Sequence, residues 1–427
     1  MNLLEGMKQN STITNSKGGK YYQTTYDSNL DLFTKLSRYT TDEEIIRLFN
    51  SALNEDEELA LANLLYILDV REGKGERRIF KTIFKNLCTT NSTLALKVLP
   101  FISKLGRYDY ILVGLDTKIN DEVISLIKMQ LAEDLKEDHP SLLAKWLPSH
   151  RTHNKNSLLA KKIRKGLNMS EKEYRQTLSL IRKKLNIMER NLTTKQYNNI
   201  VFSELPAKAM LKYTNTFQAK MTDEYTEYKK QVANSNEKIN TKVLFPHEII
   251  RNILTAKQLD NELYNLMWEN QKDVLKGCNS NILVMADTSN SMTRYDLLPY
   301  SASLGLALIS AEHNTGIFKN HFLTFSNEPY LHEIKGKTIF DKIKNIHQAS
   351  SHTNIDKAFE LLLTTAKENN LTQSELPSHL LIISDMEFSS SVSSKNGTNF
   401  SAWQESFTNA GYKLPNVIFW NVAGRIN

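Results

Sequence analysis

The chain has 427 residues, which is long enough for two or more hydrophobic cores. It is 40% hydrophobic and 24% charged, as expected of a soluble globular protein, and no run of about 18 apolar residues predicts a transmembrane helix. Cys88 and Cys278 are too few for a disulfide framework or a Cys-based zinc site, and the polar segment Met1–Lys20 does not fit a signal peptide, so we expect a cytoplasmic protein without membrane contact.

The N-terminal part of the chain predicts an arm followed by many helices. Residues 1–26 are polar and predict an irregular arm, which is ordered only where it docks on another surface. Residues 27–276 show helical apolar spacing almost throughout. The predicted helices are 31–37, 42–53, 55–69, 76–87, 91–104, 107–114, 119–137, 139–147, 156–167, 170–186, 193–200, 205–230, 246–255 and 258–275. Helix pairs recur about every 35–45 residues, which predicts a HEAT-like repeat solenoid.

A glycine-rich segment interrupts the early helices. Gly73-Lys74-Gly75 lacks the spacing of a phosphate-binding loop, and no strand precedes it. We therefore predict a tight turn between two helices. A secondary RNA contact from Lys74 or Arg77 is an open alternative.

The net charge of +7 is concentrated in one segment. Residues 145–195 hold 14 Lys and Arg against three acids, a local charge of +11, so the remainder of the chain carries −4. Such a patch predicts contact with the phosphates of RNA or another polyanion, and the alternative is an ordinary solvated surface. The candidate RNA-binding residues are Arg151, Lys155, Lys161, Lys162, Arg164, Lys165, Lys172, Arg175 and Arg182.

The C-terminal region, 277–427, predicts an α/β domain that begins with a buried strand. The apolar run Ile282–Ala286 ends abruptly in Asp287-x-Ser289-x-Ser291. Polar side chains just past the carboxyl end of such a strand lie where open α/β sheets bind ligands. Carboxylate and hydroxyl oxygens suit Mg²⁺ or Mn²⁺, and short side chains from one loop can reach a single ion.

Later residues complete the pattern of a metal site. Thr353 precedes the predicted helix 354–369, and Asp385 ends the predicted strand 380–385. The region resembles a von Willebrand factor A (vWA) domain with a metal-ion-dependent adhesion site (MIDAS). The resemblance implies a Rossmann-like sheet and a divalent ion held by Asp287, Ser289, Ser291, Thr353 and Asp385. The alternative is a similar sheet whose loop closes by hydrogen bonds without metal.

The remaining elements of this domain also follow the vWA order. We predict helix 297–309, strands 321–325 and 328–333, helix 399–410 and a buried strand 417–422. A full vWA sheet would have one more strand and helix. We therefore expect the sheet to end with an exposed or differently covered edge.

A helical solenoid followed by a vWA-like domain resembles the Ro ribonucleoprotein (TROVE) architecture, and most closely a sister family of it. The residues that carry the resemblance are 31–33, 71–77, 145–148, 245–248, 384–388 and 417–421. The resemblance implies helices that curve into a ring closed by the vWA domain. It also implies binding of small structured or misfolded RNA. For the sister family, RNA binding is inferred only by analogy with the Ro proteins.

We therefore predict a monomeric, non-enzymatic RNA-binding protein whose divalent ion takes an acidic side chain of a protein partner as a further ligand. A rival hypothesis makes the vWA-like domain an adhesion or assembly adaptor, with the helices as scaffold. A metal-dependent hydrolase or nuclease is a third hypothesis. The Asp287→Ala change separates the first two, because it should spare polyanion binding under the first hypothesis and abolish partner capture under the second.

Overall fold

The computed structural model describes residues 12–14, 20–22, 24–37, 40–149, 155–273, 275–278, 280–324, 328–346, 354–386 and 399–422. A mainly helical region is followed by a C-terminal α/β domain. The chain divides into two compact units, one of residues 26–201 and one of residues 1–25 and 202–427. No helix of the described residues combines the length and the apolar character needed to cross a membrane.

The unit of residues 26–201 is built from helices around a continuous apolar core. Its helices are α1 (Ser28–Lys35), α2 (Asp42–Glu55), α3 (Glu57–Leu68), α4 (Arg77–Thr90), α5 (Ser92–Leu105), α6 (Asn120–Lys136), α7 (Leu143–Trp146), α8 (Lys155–Gly166), α9 (Glu171–Lys184) and α10 (Met188–Thr193), with 3-10 turns at Tyr108–Gly114 and Tyr197–Asn199. Asp27, Thr41, Asp56, Asn91 and Ser170 each accept a backbone N–H of a first helical turn. The core extends from Leu32 to Ile181.

Three of the predicted helices in this unit differ from the structure, and one of them, 107–114, is a 3-10 turn over Tyr108–Gly114. The predicted helix 139–147 is reduced to α7. The Asp134 carboxylate accepts hydrogen bonds from the Ser141 N–H at 2.9 Å and the Ser141 hydroxyl at 2.8 Å. These bonds hold the residues before α7 in a turn. The predicted helix 193–200 is replaced by α10 and a 3-10 turn. Lys195 has a φ of 57°, which ends the helical path between them.

The glycine-rich segment forms a tight turn between α3 and α4, as predicted. A Cβ on Gly73 would lie 2.0 Å from the Tyr66 carbonyl oxygen, so only glycine fits there. The ammonium of Lys74 bonds the Phe33 carbonyl and lies 4.5 Å from the centre of the Phe33 ring. Burial lowers the pKa of Lys74. Lys74 therefore links the turn to α1. Because its ammonium already has these contacts, we do not expect it to bind RNA.

The second unit begins with helices that precede the sheet. They are α11 (Ala207–Lys220), α12 (Thr222–Ala233), α13 (Pro246–Thr255) and α14 (Asn261–Glu269), preceded by a 3-10 turn at Phe202–Glu204. The single helix predicted over 205–230 is broken at Met221, where the backbone leaves the helical region. The break lets Phe217 and Tyr225 pack on each other and on Phe202.

The first 25 residues are grouped with this unit. Their described part is an antiparallel pair of short strands, β1 (Thr12–Thr14) and β2 (Lys20–Tyr22). The arm that the sequence predicts as irregular therefore contains a hairpin.

A five-stranded mixed sheet forms the α/β part of this unit. Its strands are β3 (Ile282–Ala286), β4 (His321–Thr324), β5 (Tyr330–Glu333), β6 (His379–Ser384) and β7 (Asn416–Asn421), in the order β5-β4-β3-β6-β7. All neighbours are parallel except β4 and β5. The accompanying helices are α15 (Arg294–His313), α16 (Ile339–Lys344), α17 (Ile355–Glu368) and α18 (Asn399–Asn409), with 3-10 turns at Asn290–Thr293 and Gln373–Glu375.

The central strand β3 is buried along its whole length, as the apolar run predicts. Leu283 and Met285 pack into a core with Phe359 of α17 and Trp403 of α18. Successive side chains of a strand point to opposite faces, so Val284 and Ala286 face the other side, where α15 packs.

The strand β7 corrects one prediction. The sequence predicts that 417–422 is buried, but Ile418, Phe419 and Trp420 are each nearly half exposed. The reason is its position, because β7 is an edge strand among the described strands of the sheet. The expectation of an exposed edge is met on this side.

Helices α13 and α14 pack against the helices of the sheet, so the compact units divide between residues 201 and 202. The domain boundary that the sequence predicts between 276 and 277 lies inside the second unit and stays a prediction. Contacts across that point include the Trp268 indole N–H, which donates to Glu312 of α15 at 3.0 Å. A Cβ on Gly305 would lie 3.0 Å from the His247 backbone nitrogen, so α15 and the start of α13 are in close contact.

Candidate functional site

Two aspartates meet at the carboxyl ends of neighbouring parallel strands. Asp287 follows β3 and Asp385 follows β6, and the register pairs Ala286, directly before Asp287, with Ile383, two residues before Asp385. The Asp287 N–H donates to the Ile383 carbonyl at 2.9 Å. Because β4 and β6 lie on opposite sides of β3, the strand order reverses at this point. Ligands of open α/β sheets bind at such a switch point.

The carboxylate of Asp287 is completely buried and held from two sides. Its Oδ1 accepts the Ser289 N–H at 2.9 Å, and its Oδ2 accepts the Ser384 hydroxyl at 2.6 Å. A carboxylate offers about four lone-pair directions, so both oxygens can still bind another partner.

The hydroxyl groups of the Asp287-x-Ser289-x-Ser291 loop lie beside this carboxylate. The Oγ atoms of Ser289 and Ser291 are 2.9 Å apart, and a 3-10 turn at Asn290–Thr293 brings them together. Thr288 is buried, and its Oγ1 has no hydrogen-bond partner among the described residues. The loop therefore offers hydroxyl oxygens in a buried setting where one of them is not satisfied by the protein.

The electrostatics of the pair favour a cation. Burial raises the pKa of Asp287, the bonds from Ser384 and Ser289 act in the opposite direction, and the charge of Asp385 adds to the rise. Asp385 is itself 2% exposed. Burying a carboxylate costs several kcal/mol, and a second one nearby increases that cost. Hard oxygen donors around two buried carboxylates fit Mg²⁺ or Mn²⁺, which bind through one or two carboxylates and keep several waters.

Some of the predicted site lies outside the described residues. Thr353, the predicted hydroxyl ligand before α17, falls there, so its place in the site stays a prediction. Asp287, Ser289, Ser291 and Asp385 are described. No group of three or more His, Cys, Asp or Glu that could hold a metal occurs in the part of the chain that the structure describes, and the described residues of this site include two acids.

Ser384 is a site residue that the sequence reasoning missed. It is fully buried, donates to Asp287 and accepts the Met386 N–H at 3.1 Å. The available signal is a hydroxyl residue at the end of an otherwise apolar strand, directly before Asp385. A buried hydroxyl needs a partner, and that need points to the neighbouring loop.

The basic segment of the other unit contains cations that are free to bind a ligand. Lys161, Lys165, Lys172 and Arg175 are exposed, and their side chains form no ion pair or hydrogen bond with another described residue. Lys161, Lys162 and Lys165 share one side of α8 and line a shallow cavity of about 430 Å³. Leu158 and Leu159 complete its lining.

Other basic residues of this segment serve the fold. Lys162 pairs with Asp116. Arg164 is half buried and donates to the Met169 carbonyl at 2.9 Å just after α8. The Arg182 guanidinium donates to the carbonyls of Ala144 and Leu147, both at 2.8 Å, and to Ser149 at 2.9 Å, and its contact with RNA stays a prediction.

Two further candidate RNA-binding residues, Arg151 and Lys155, are not described or are described only in their backbone. Arg151 lies outside the described residues. Lys155 begins α8, but its side chain is not among those described. Their roles stay predictions.

Comparisons with known proteins match nearly the whole chain. A family model described as Domain of unknown function (DUF2828) matches residues 124–280, and one described as Domain of unknown function (DUF7788) matches residues 281–427. The Uncharacterized protein L728 of Acanthamoeba polyphaga mimivirus is 29% identical over 449 residues, which cover 95% of this chain and 78% of the viral protein. The two matched regions meet directly before β3. Neither the two family descriptions nor the name of the viral protein states an activity. A function can therefore be inferred only from the chemistry of the two sites.

Proposed function

We propose that this protein is a non-enzymatic binding protein with two sites, a basic helix surface for RNA and a divalent-cation site for a protein partner. In this proposal the helices form a HEAT-like, Ro-like scaffold, and the α/β domain is of the vWA type. The strand order and the parallel pairing of β4, β3, β6 and β7 support the vWA assignment.

The cation site rests on one observation, the meeting of two buried carboxylates and a hydroxyl pair at the switch point of the sheet. Asp287, Ser289, Ser291 and Asp385 would hold Mg²⁺ or Mn²⁺, together with Thr353 if it reaches the site. Two carboxylates at most balance the two positive charges of the ion, so the site holds no excess of negative charge. When bound, the ion would attract an acidic side chain of a partner protein into an open coordination position.

The RNA surface rests on the cavity of α8. Lys161 and Lys165, together with the Asp116-paired Lys162, give cations for phosphates, and the two leucines give an apolar floor for unpaired bases. Lys172 and Arg175 of α9 add further unpaired charge in the same segment.

The RNA proposal is tested with full-length protein purified at low salt. The ratio of absorbance at 260 and 280 nm reports bound nucleic acid, which is then sequenced. Fluorescence anisotropy with a labelled single-stranded RNA follows, at several salt concentrations. The variant with Lys161, Lys162 and Lys165 changed to Gln should bind about tenfold more weakly, with a salt slope smaller by about two.

A matched control removes the same charge elsewhere in this unit. Lys85, Lys128 and Lys136 are exposed and are changed to Gln together. Equal losses in both triple variants would show only a general charge effect and would refute the proposed surface. Clean protein with no RNA affinity would also refute it.

The adaptor hypothesis is the second candidate, and the buried carboxylate pair favours it. Titration calorimetry with Mn²⁺ tests the site directly, comparing the wild type with Asp287→Asn and Asp385→Asn. Loss of cation binding in both variants, with RNA affinity unchanged, would support two separate sites. A wild-type protein that binds no Mn²⁺ at millimolar concentration would exclude the cation site and with it the adaptor.

A further inference from the structure

Helix α15 (Arg294–His313) follows the candidate cation site, and its first turn is irregular. After the 3-10 turn at Asn290–Thr293, Arg294 is extended with a ψ of 167°. Asp296 and Leu297 then have φ values of 57° and 60°. The right-handed geometry of α15 is therefore interrupted in its first turn, and Pro299 follows within the helix.

The left-handed conformation of this turn is unfavourable for leucine. Its Cβ crowds the carbonyl that follows, a clash that glycine lacks and that Asp tolerates better. Two consecutive residues of this kind persist only where the surrounding structure holds them. The turn is therefore a place where the chain would relax if its restraint were removed.

Arg251 of α13 is the restraint. Its Nε donates to the Asp296 carbonyl at 2.8 Å, and its guanidinium also pairs with the Asp296 carboxylate. The planar guanidinium thus fixes both the backbone and the side chain of one left-handed residue. The close approach of α13 and α15 at Gly305 keeps the two helices in place around this bond.

We propose that Arg251 is a positioning residue for the cation site. By holding Asp296 and Leu297 in the left-handed turn, it keeps Ser289 and Ser291 in the arrangement that can bind the ion. Cation affinity is then coupled to α13, outside the sheet. This inference rests on the proposed cation site, and without Arg251 the turn relaxes and the binding-competent arrangement becomes less populated.

The experiment measures Mn²⁺ affinity of the full-length chain by titration calorimetry, with the thermal midpoint of each variant recorded. Arg251→Ala should weaken binding by about tenfold, which corresponds to about 1.4 kcal/mol. Arg251→Lys should restore only part of the affinity, because an ammonium cannot hold the carbonyl and the carboxylate in the same fixed geometry. Lys208→Ala is the control, since it breaks an ion pair with Glu248 of α13 and does not touch α15.

A rescue separates positioning from simple destabilisation. In the Arg251→Ala background, Leu297→Gly removes the conformational penalty and should recover most of the affinity. Leu297→Ala removes the same side chain but keeps the penalty, so it should not. Equal affinities of the Gly and Ala double variants, or an Arg251→Ala protein that binds Mn²⁺ as the wild type does, would overturn the inference while leaving the cation site standing. A wild type that binds no Mn²⁺ would overturn both.

Discussion

Ser384 at the end of β6 donates its hydroxyl to Asp287 Oδ2 at 2.6 Å, across the boundary between two parallel strands. Both residues are completely buried. The bond fixes the orientation of a carboxylate that lies in the loop after the neighbouring strand. A residue that touches no ion can therefore determine how Asp287 presents its oxygens to one.

We predict that Ser384→Ala weakens Mn²⁺ binding by about tenfold or more, the usual effect of removing a partner that orients a metal ligand. The free energy of unfolding should also fall by about 1–3 kcal/mol, because Asp287 loses a hydrogen bond in a buried setting. Calorimetric titration and urea unfolding measure the two effects.

Ser378→Ala is the matched control, as it removes a hydroxyl just before the opposite end of the same strand. The Ser378 hydroxyl donates to the Asn281 carbonyl at 3.0 Å, away from the site. It should leave cation affinity unchanged. Equal weakening in both serine variants would mean that Ser384 acts only through the stability of the sheet.

The fold of the C-terminal domain was predictable because its strands are short, apolar and sharply bounded. The run Ile282–Ala286 matches β3 residue for residue. The predicted burial of 417–422 failed for a physical reason. An apolar run identifies a strand, but its place at the edge or centre of a sheet depends on contacts between segments distant in sequence.

The candidate site was predictable only in part. Spacing indicates that Asp287, Ser289 and Ser291 share a loop, and the parallel strands bring Asp385 to it. The spacing of residues in the sequence does not show which buried hydroxyl bonds the Asp287 carboxylate, so Ser384 was not predicted. Charge counting likewise cannot distinguish an exposed arginine from one that bonds carbonyls, as Arg182 does.

We predict opposite phenotypes for two cations of the basic segment. Arg182→Gln should lower the free energy of unfolding by about 2 kcal/mol, because three carbonyl and hydroxyl acceptors lose their donors. Lys161→Gln should leave stability within about 0.5 kcal/mol, since exposed substitutions away from such contacts usually do so. Thermal unfolding together with RNA anisotropy checks both. An Arg182→Gln protein of wild-type stability with reduced RNA affinity would return this residue to the RNA surface.

A buried ion network should stabilise the helices before the sheet. Lys229 of α12 pairs with Asp260 at 3.1 Å and Glu262 at 2.7 Å, and the side chains of Lys229 and Asp260 are 11% and 5% exposed. Tyr225 and Gln218 also donate to Asp260, both at 3.2 Å. Asp260 therefore joins three helices through one carboxylate.

We predict that Asp260→Asn lowers the free energy of unfolding by about 3 kcal/mol, because it leaves a buried ammonium with a single charged partner. Glu262→Gln, at the exposed end of the network, should cost about 0–1 kcal/mol. Urea unfolding of the two variants gives the comparison. Similar costs for both would show that the network is not centred on Asp260.

The buried Cys88 should make stability fall at alkaline pH. Burial raises the pKa of its thiol to about 11, while a hydrogen bond with Thr117 acts weakly in the other direction. The unfolded thiol ionises near pH 9, so the contribution of the protonated thiol is fully present below that pH and is lost as the pH rises towards 11. We expect the unfolding free energies of the wild type and of Cys88→Ala to converge by about 2 kcal/mol between pH 8 and 11. Alkylation tests the burial of Cys88 directly. At pH 8, iodoacetamide should modify the half-buried Cys278 in the native protein and Cys88 only after unfolding. Rapid alkylation of Cys88 in the native protein would contradict its burial.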